Sequence, residues 1–238
     1  MFDSHAVTDL HAHAVSETYQ ARVASTDFED LLKRVVLRRR IVQAKQVVFR
    51  AGQPQQFIYL VHSGVFKTSL TAADGREKIT GFRLRGDLLG LDSLGTPNHA
   101  CDVVALDVGE VWELPIEQLR AQIPDFQDRL TAALAGEIRR DWNWMLALST
   151  LSAEQRVVAF LLDLAERLER MGFSSRQMLL RMSRADLGNF LSMQLETVVR
   201  ALSRLQALGH IAIDGREICI RDRKGLQAML DYNAALAA

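Results

Sequence analysis

Between Met182 and Arg221 the chain reads "MSRADLGNFL", "SMQLETVVRALSRLQALG" and "HIAIDGREICIR". Two short runs with apolar residues at helical spacing are separated by a few polar residues. An Asp-Gly pair between two strand-like segments follows. This succession predicts helix, turn, helix and then a two-stranded wing. Ser183 is placed to cap the first helix, whose inner face is Leu187, Phe190 and Leu191, and Ser192 starts the turn. On the second helix Leu195, Val198, Leu202 and Leu205 recur every three or four residues, and most of them are expected to bury. Glu196, Val199, Arg200 and Ser203 then face outward.

In a helix-turn-helix the second helix enters the major groove and presents its N-terminal residues to base edges. The outward residues suit that task. Arg200 can fork to guanine O6 and N7, Glu196 can accept from a cytosine amino group, and Val199 can touch a thymine methyl. Each good pair is worth ~1–3 kcal/mol of discrimination. Glu196 and Arg200 alone would read as an ordinary surface pair at i, i+4, worth ~0.2–0.5 kcal/mol. The turn, the buried pattern and the wing favour base reading. Ser183, Arg184, Ser203, Arg204 and the wing residue Arg216 flank these positions and are candidate contacts to the DNA backbone. Lys plus Arg equals Asp plus Glu at 29 each, so no global field draws the chain to nucleic acid. Attraction must be local, and from Arg176 to Arg204 five arginines (Arg176, Arg181, Arg184, Arg200 and Arg204) outnumber Asp186 and Glu196.

Upstream the periodicity differs. From about Ile41 to Leu114 short alternating or apolar runs are separated by turn signals, among them Asp74-Gly75 between "FKTSL" and "KITGF". Many short strands with closely spaced glycines indicate an antiparallel barrel or jelly roll. From Ile116 to about Ser149 the period becomes helical, and Leu130, Leu134, Ile138, Asp141, Met145 and Leu148 form one long stripe. A stripe of this length is expected to pack against its copy in a homodimer. Asp141 interrupts the seam, either as a solvated edge residue or as a charge that weakens the dimer, since an unpaired buried carboxylate is costly. "SAEQRVVAFLLDLAERL" begins another helix, with Ser152 as cap and Gln155 three residues on. Met1 to about Ser25 and Tyr232–Ala238 are expected to be weakly ordered.

Other classes find little support. The 238 residues, 48% of them hydrophobic, suffice for one large or two ordinary domains. The N-terminal stretch lacks the apolar core of a signal peptide, and no run of ~18 apolar residues follows, so a cytoplasmic chain without membrane association is expected. Cys101 and Cys219, the two cysteines, sit in apolar runs and are expected to be buried reduced thiols. There is no P-loop, G-x-S-x-G, H-E-x-x-H or Rossmann fingerprint. His99 and Cys101 could pair as base and nucleophile, but no third group orients them, so no catalysis is expected. His11 and His13, with His5, are weak candidates for a metal or haem in an otherwise polar tail.

"ITGFRLRGDLLGLDSLG", "GEIRRDWNWMLAL", "RVVAFLLDLAERLERMGFS" and "MSRADLGNFLSMQLETVVRALSRLQALG" resemble the corresponding stretches of the CRP/FNR family of bacterial transcription regulators. The likeness runs from about Phe28 to Tyr232 and is closer to the FNR branch. It implies an α+β protein in four segments. Residues 1–25 would form a flexible segment, and residues 26–115 an N-terminal antiparallel β-roll like a cyclic-nucleotide-binding domain. Residues 116–150 would carry a dimerisation helix, and residues 151–238 a C-terminal winged helix-turn-helix. It also implies double-stranded DNA and RNA polymerase as partners, the polymerase contact matching "DGREKITGF", hence Asp74, Gly75, Ile79 and Gly81.

The FNR branch reads DNA through E-x-x-S-R. Here Glu196 and Arg200 match and Val199 replaces the serine, so the implied target is an FNR-like palindrome with one altered contact. Leu195 stands where the CRP branch has arginine, which argues against the CRP half-site. The branch's [4Fe–4S] cluster needs four cysteines, yet three matching positions are His13, Tyr19 and Trp112, so no such cluster is expected. Trp112 is expected in the core. Cyclic-nucleotide readers in the family use a Glu and an Arg-Ser pair. Leu91 and His99-Ala100 stand near those positions, and no cation would meet the phosphate. The expectation is therefore a regulator with no predicted cofactor. A haem- or metal-dependent sensor of the same fold is the first alternative and a cyclic-nucleotide-type ligand-binding protein a less favoured one, while a constitutive dimer with no ligand is a third possibility.

Overall fold

The computed structural model describes residues 37–236; the expectations for Met1–Ser25, including His5, His11, His13 and Tyr19, lie outside them. The chain divides into two compact units whose boundary falls between Ile138 and Arg139.

Among its described residues the first unit carries eight strands: β1 (Arg38–Val42), β2 (Val47–Phe49), β3 (Ile58–Ser63), β4 (Phe66–Thr71), β5 (Glu77–Arg83), β6 (Leu88–Leu89), β7 (Asp102–Ala105) and β8 (Gly109–Leu114). They form two antiparallel four-stranded sheets, ordered β1-β8-β3-β6 and β2-β7-β4-β5. "FIYLV" shows why the first sheet forms. Tyr59 and Val61 join Phe49, Phe66, Val103 and Val111 in one core. Ile58 and Leu60 point the other way, into a second core with Trp112, Leu119, Phe126 and Leu130. The second core is roofed by α1 (Ile116–Gln122) and the start of α2 (Phe126–Thr150). A strand covered on both faces loses its polar alternation, which is why the run reads as continuously apolar. Trp112 is buried as expected, stacked on His62, with Arg39 over its ring.

The β4–β5 hairpin forms around Asp74-Gly75, and the Asp74 carboxylate accepts from the backbone N–H and Nε of Arg76. Asp74 and Gly75 are exposed at the tip. Ile79 is 1% exposed and Gly81 is buried in the sheet, which corrects their expected place on a contact surface. Alternation along β5 turns Ile79 inward.

The helical stripe also divides. Phe126 and Leu130 are buried in the roll's second core and Leu134 leans on it, so the start of α2 is satisfied within its own unit. Further on, Ile138, Trp142, Met145 and Leu146 are 42, 62, 65 and 45% exposed, and Leu148 is half-buried. The unpartnered apolar surface thus begins at Ile138 rather than at Leu130. Asp141 is exposed within it.

The second unit contains α3 (Ala153–Arg170), β9 (Gln177–Leu179), α4 (Arg184–Phe190), α5 (Leu195–Ala207), β10 (Ile211–Asp214), β11 (Glu217–Ile220) and α6 (Arg223–Leu236). Ser152 and Gln155 form the expected capping box. The wing has three strands, β10-β11-β9, because Met178 and its neighbours pair with β11. Three residues separated from the hairpin by two helices give too weak a local signal to show this pairing. The last helix, α6, runs through Leu236. Trp144, Phe160 and Phe190 bring the end of α2, α3 and α4 into one aromatic cluster, with edge-on contacts at 4.8 and 6.1 Å from Phe190. Such pairs add ~0.5–1.5 kcal/mol beyond their buried area.

Candidate nucleic-acid interface

α4 is closed at its N-terminus by a reciprocal cap. Ser183 Oγ accepts from the Asp186 N–H at 3.0 Å, and Asp186 Oδ2 accepts from the Ser183 N–H at 3.1 Å. Leu187, Phe190 and Leu191 are buried. At the turn Ser192 takes φ +55°, and the Met193 N–H donates to Gly188 O at 2.9 Å. The two helices approach closely here, and a Cβ on Gly188 would lie 2.8 Å from Met193 O. Gly188→Ala is expected to push the turn open and destabilise the second unit by roughly 1–3 kcal/mol. Thermal melting measures this, and an unchanged midpoint would contradict the close approach. Arg156 braces the same turn, donating to Leu151 O at 3.0 Å and to Leu191 O at 3.2 Å.

Val198, Ala201, Leu202 and Leu205 bury one face of α5. Glu196, Val199, Arg200 and Ser203 are exposed on the other, Val199 by 46%. Of the four periodic residues on this helix, Leu195 is the exposed one, at 42%. It opens the helix, and side chains lean toward the N-terminus, away from the packed stretch behind it. The exposed face therefore runs apolar, acidic, apolar, basic along its first turn and a half. Arg200 Nη2 donates to Thr197 Oγ1 at 3.3 Å, so a hydroxyl one turn earlier orients the guanidinium. Thr197 was not singled out from the sequence. Its position three residues before Arg200 was the available signal.

Three arginines of the same unit are candidates for backbone contact. Arg184 Nη2 donates to Gly215 O at 3.2 Å, tying α4 to the wing turn. Its pKa is lowered first by burial and then by the nearby Arg216 cation. The two guanidinium groups are thus near enough for their charges to interact. Gly215 takes φ +56° in the two-residue turn between Asp214 and Glu217, and Arg216 stands exposed beside it. Arg204 is less free for DNA than its position implies, because its Nε pairs with Glu154 Oε2 at 3.0 Å. Ser183 is exposed, but its hydroxyl is engaged in the α4 cap.

In the β-roll, Leu91 is buried and Ala100 is exposed, its N–H donating to Asp92 Oδ2 at 3.0 Å. His99 is buried, stacked on Phe49 at 3.7 Å between ring centres, with Nδ1 3.0 Å from Ser93 Oγ. Burial lowers its pKa, with Asp92 opposing. A ring packed into the core against Phe49, with Nδ1 facing Ser93, is not presented as the cation that a cyclic-nucleotide phosphate needs. The cysteines likewise do not fit a four-thiolate cluster. Cys101 is buried in the roll, and its pKa is pushed up to about 12, first by burial and then by Asp92. Cys219 lies in β11, half-buried rather than fully buried as expected. A thiol with that pKa is protonated at neutral pH and is no nucleophile. Among the described residues no group of three His, Cys, Asp or Glu could hold a metal ion, and no helix is long and apolar enough to cross a membrane.

Residues 155–229 match the Crp-like helix-turn-helix domain, and residues 39–125 match the cyclic nucleotide-binding domain. The chain is 35% identical over 211 residues to the fumarate and nitrate reduction regulatory protein of Salmonella typhimurium, covering 87% of this chain and 84% of that one. It is 36% identical over 200 residues to the anaerobic regulatory protein of Pasteurella multocida, covering 83% and 73%. Among solved structures, FixK2 from Bradyrhizobium japonicum is similar with a TM-score of 0.74 and 31% identity, over 82% of this chain and 98% of that one. A two-sheet roll joined by a long helix to a winged helix-turn-helix, together with relatives matching over most of both chains, places this chain in the CRP/FNR family of transcription regulators.

Proposed function

We propose that the chain is a homodimeric, sequence-specific regulator that reads an FNR-like palindrome through Glu196, Val199 and Arg200 and signals through contact with RNA polymerase. One observation carries the reading. These three side chains are exposed on a helix whose opposite face is buried, and the Arg184–Arg216 cations lie in the same unit. Base-edge chemistry on the helix gives sequence choice, and the cations supply backbone attraction. The stripe Ile138, Trp142, Met145, Leu146 and Leu148 supports pairing with a second copy, since large apolar side chains exposed at helical spacing mark an interaction face. Leu134 contributes at its margin, and Asp141 places one carboxylate in the seam.

Two-fold pairing predicts two-fold DNA. Arg184, Ser203, Arg204 and Arg216 are assigned to phosphates. Asp74 and Gly75, exposed at the β4–β5 tip, are the polymerase-facing candidates. We assign the roll neither an iron–sulfur cluster nor a cyclic nucleotide, because His99 and Cys101 are built into its packing.

Selection of binding sites from random duplex DNA, followed by footprinting, tests the reading. The expected product is a palindrome with half-sites centred one helical turn apart. A consensus without two-fold symmetry would overturn the homodimer, and enrichment of no sequence would overturn base reading.

A further inference from the structure

Arg83 ends β5, Glu137 lies in α2, and their side chains form an ion pair, Arg83 Nη1 donating to Glu137 Oε1. The pair is largely buried, with 11 and 18% of the two side chains exposed. Arg83 Nε is also buried and has no acceptor, so the guanidinium depends on the carboxylate for its neutralisation. Gly81 makes room for it: a Cβ there would stand 3.4 Å from Arg83 Cζ and Nη2.

The position of Glu137 along α2 gives the pair its meaning. Phe126, Leu130, Ala133 and Leu134 are the residues with which α2 packs on the roll. Glu137 follows at the next helical step on that face. Ile138, the next residue, begins the exposed apolar stripe. Apolar contact therefore gives way to an ion pair just where the helix passes from packed to exposed surface.

We propose that the Arg83–Glu137 pair is a built-in clamp that holds α2 on the roll as far as Glu137 and thereby orders the start of the exposed stripe. A buried pair suits this role. Losing the Glu137 carboxylate leaves the buried Arg83 guanidinium without the acceptor that neutralises it, and losing Arg83 removes the contact that ties this point of α2 to β5, so either single loss favours release of the helix toward water. The clamp needs no ligand, since both members belong to the chain. Its effect on self-association rests on the homodimer reading above, whereas its local effect on α2 does not.

Amide hydrogen exchange on the full chain decides the matter. In Arg83→Met and Glu137→Gln, amides of residues 134–141 should exchange at least about ten-fold faster, while those of β3, β4 and β8 stay protected. Arg83→Lys, which keeps the cation, should restore most of the protection. Unchanged exchange at 134–141 in both single variants, or a uniform rise across the roll, would overturn the clamp. Sedimentation of the same samples separates the two readings. A parent chain that stays monomeric sinks the homodimer, while the exchange pattern still decides the clamp.

Discussion

Arg200→Ala is expected to weaken binding to the selected palindrome by at least about thirty-fold while leaving binding to unrelated duplex within about two-fold. A bidentate arginine–guanine contact is worth roughly 1–3 kcal/mol, and a two-fold site makes it twice. The total is then about 2–6 kcal/mol, and each 1.4 kcal/mol is ten-fold. Non-specific affinity comes from phosphates, which Arg184 and Arg216 are placed to meet, so it should survive. The expected signature is a collapse of discrimination at one base position of each half-site with little change in salt dependence. Fluorescence anisotropy against the palindrome, single-base variants and random duplex measures all of this. Equal loss on every duplex would mean that Arg200 is only another phosphate contact. The variant should fold normally, because Arg200 is exposed and its guanidinium bonds to Thr197 on its own helix.

Ile138→Glu should abolish self-association at micromolar concentration. In a symmetric pair one substitution acts twice, so two carboxylates enter the seam beside the two copies of Asp141. Burying the exposed part of two isoleucines is worth roughly 1–3 kcal/mol, all of it lost. Burying unpaired charge adds several kcal/mol more. A weakening of about a hundred-fold or greater follows, since that corresponds to only ~2.7 kcal/mol. Sedimentation equilibrium reads it directly. Binding to a full palindrome should fall with it, whereas each half-site contact stays intact. If the variant associates like the parent, Ile138 does not lie in the seam, and the stripe must be assigned to some other partner.

The winged helix-turn-helix was legible in the sequence because its signals are local. Ser183 with Asp186 sets the cap, the spacing of Val198, Leu202 and Leu205 sets the buried face, and Asp214-Gly215 sets the hairpin. Glu196, Val199 and Arg200 follow as the residues left over on the other face. The two-sheet roll was legible as a class for the same reason, through short apolar runs broken by glycine turns.

What each apolar or charged position meets was not local, and there the tertiary structure decided. Leu130 and Ile138 belong to one periodic stripe, yet the first is buried by the roll and the second is exposed. Periodicity reports which face a residue shares and says nothing of what another part of the chain brings to that face. Leu195 fits the buried pattern of α5 but projects past the end of its packing. Ile79 and Gly81 lie within a segment assigned to a surface, and strand alternation turns them inward. β9 joins the wing across two intervening helices, and Arg83 finds Glu137 across 54 residues. Sequence fixes backbone preference and the side of an element that is apolar, because both depend on neighbours within a turn or two. Burial and ion pairing depend on which distant surfaces meet, and only folding brings those surfaces together.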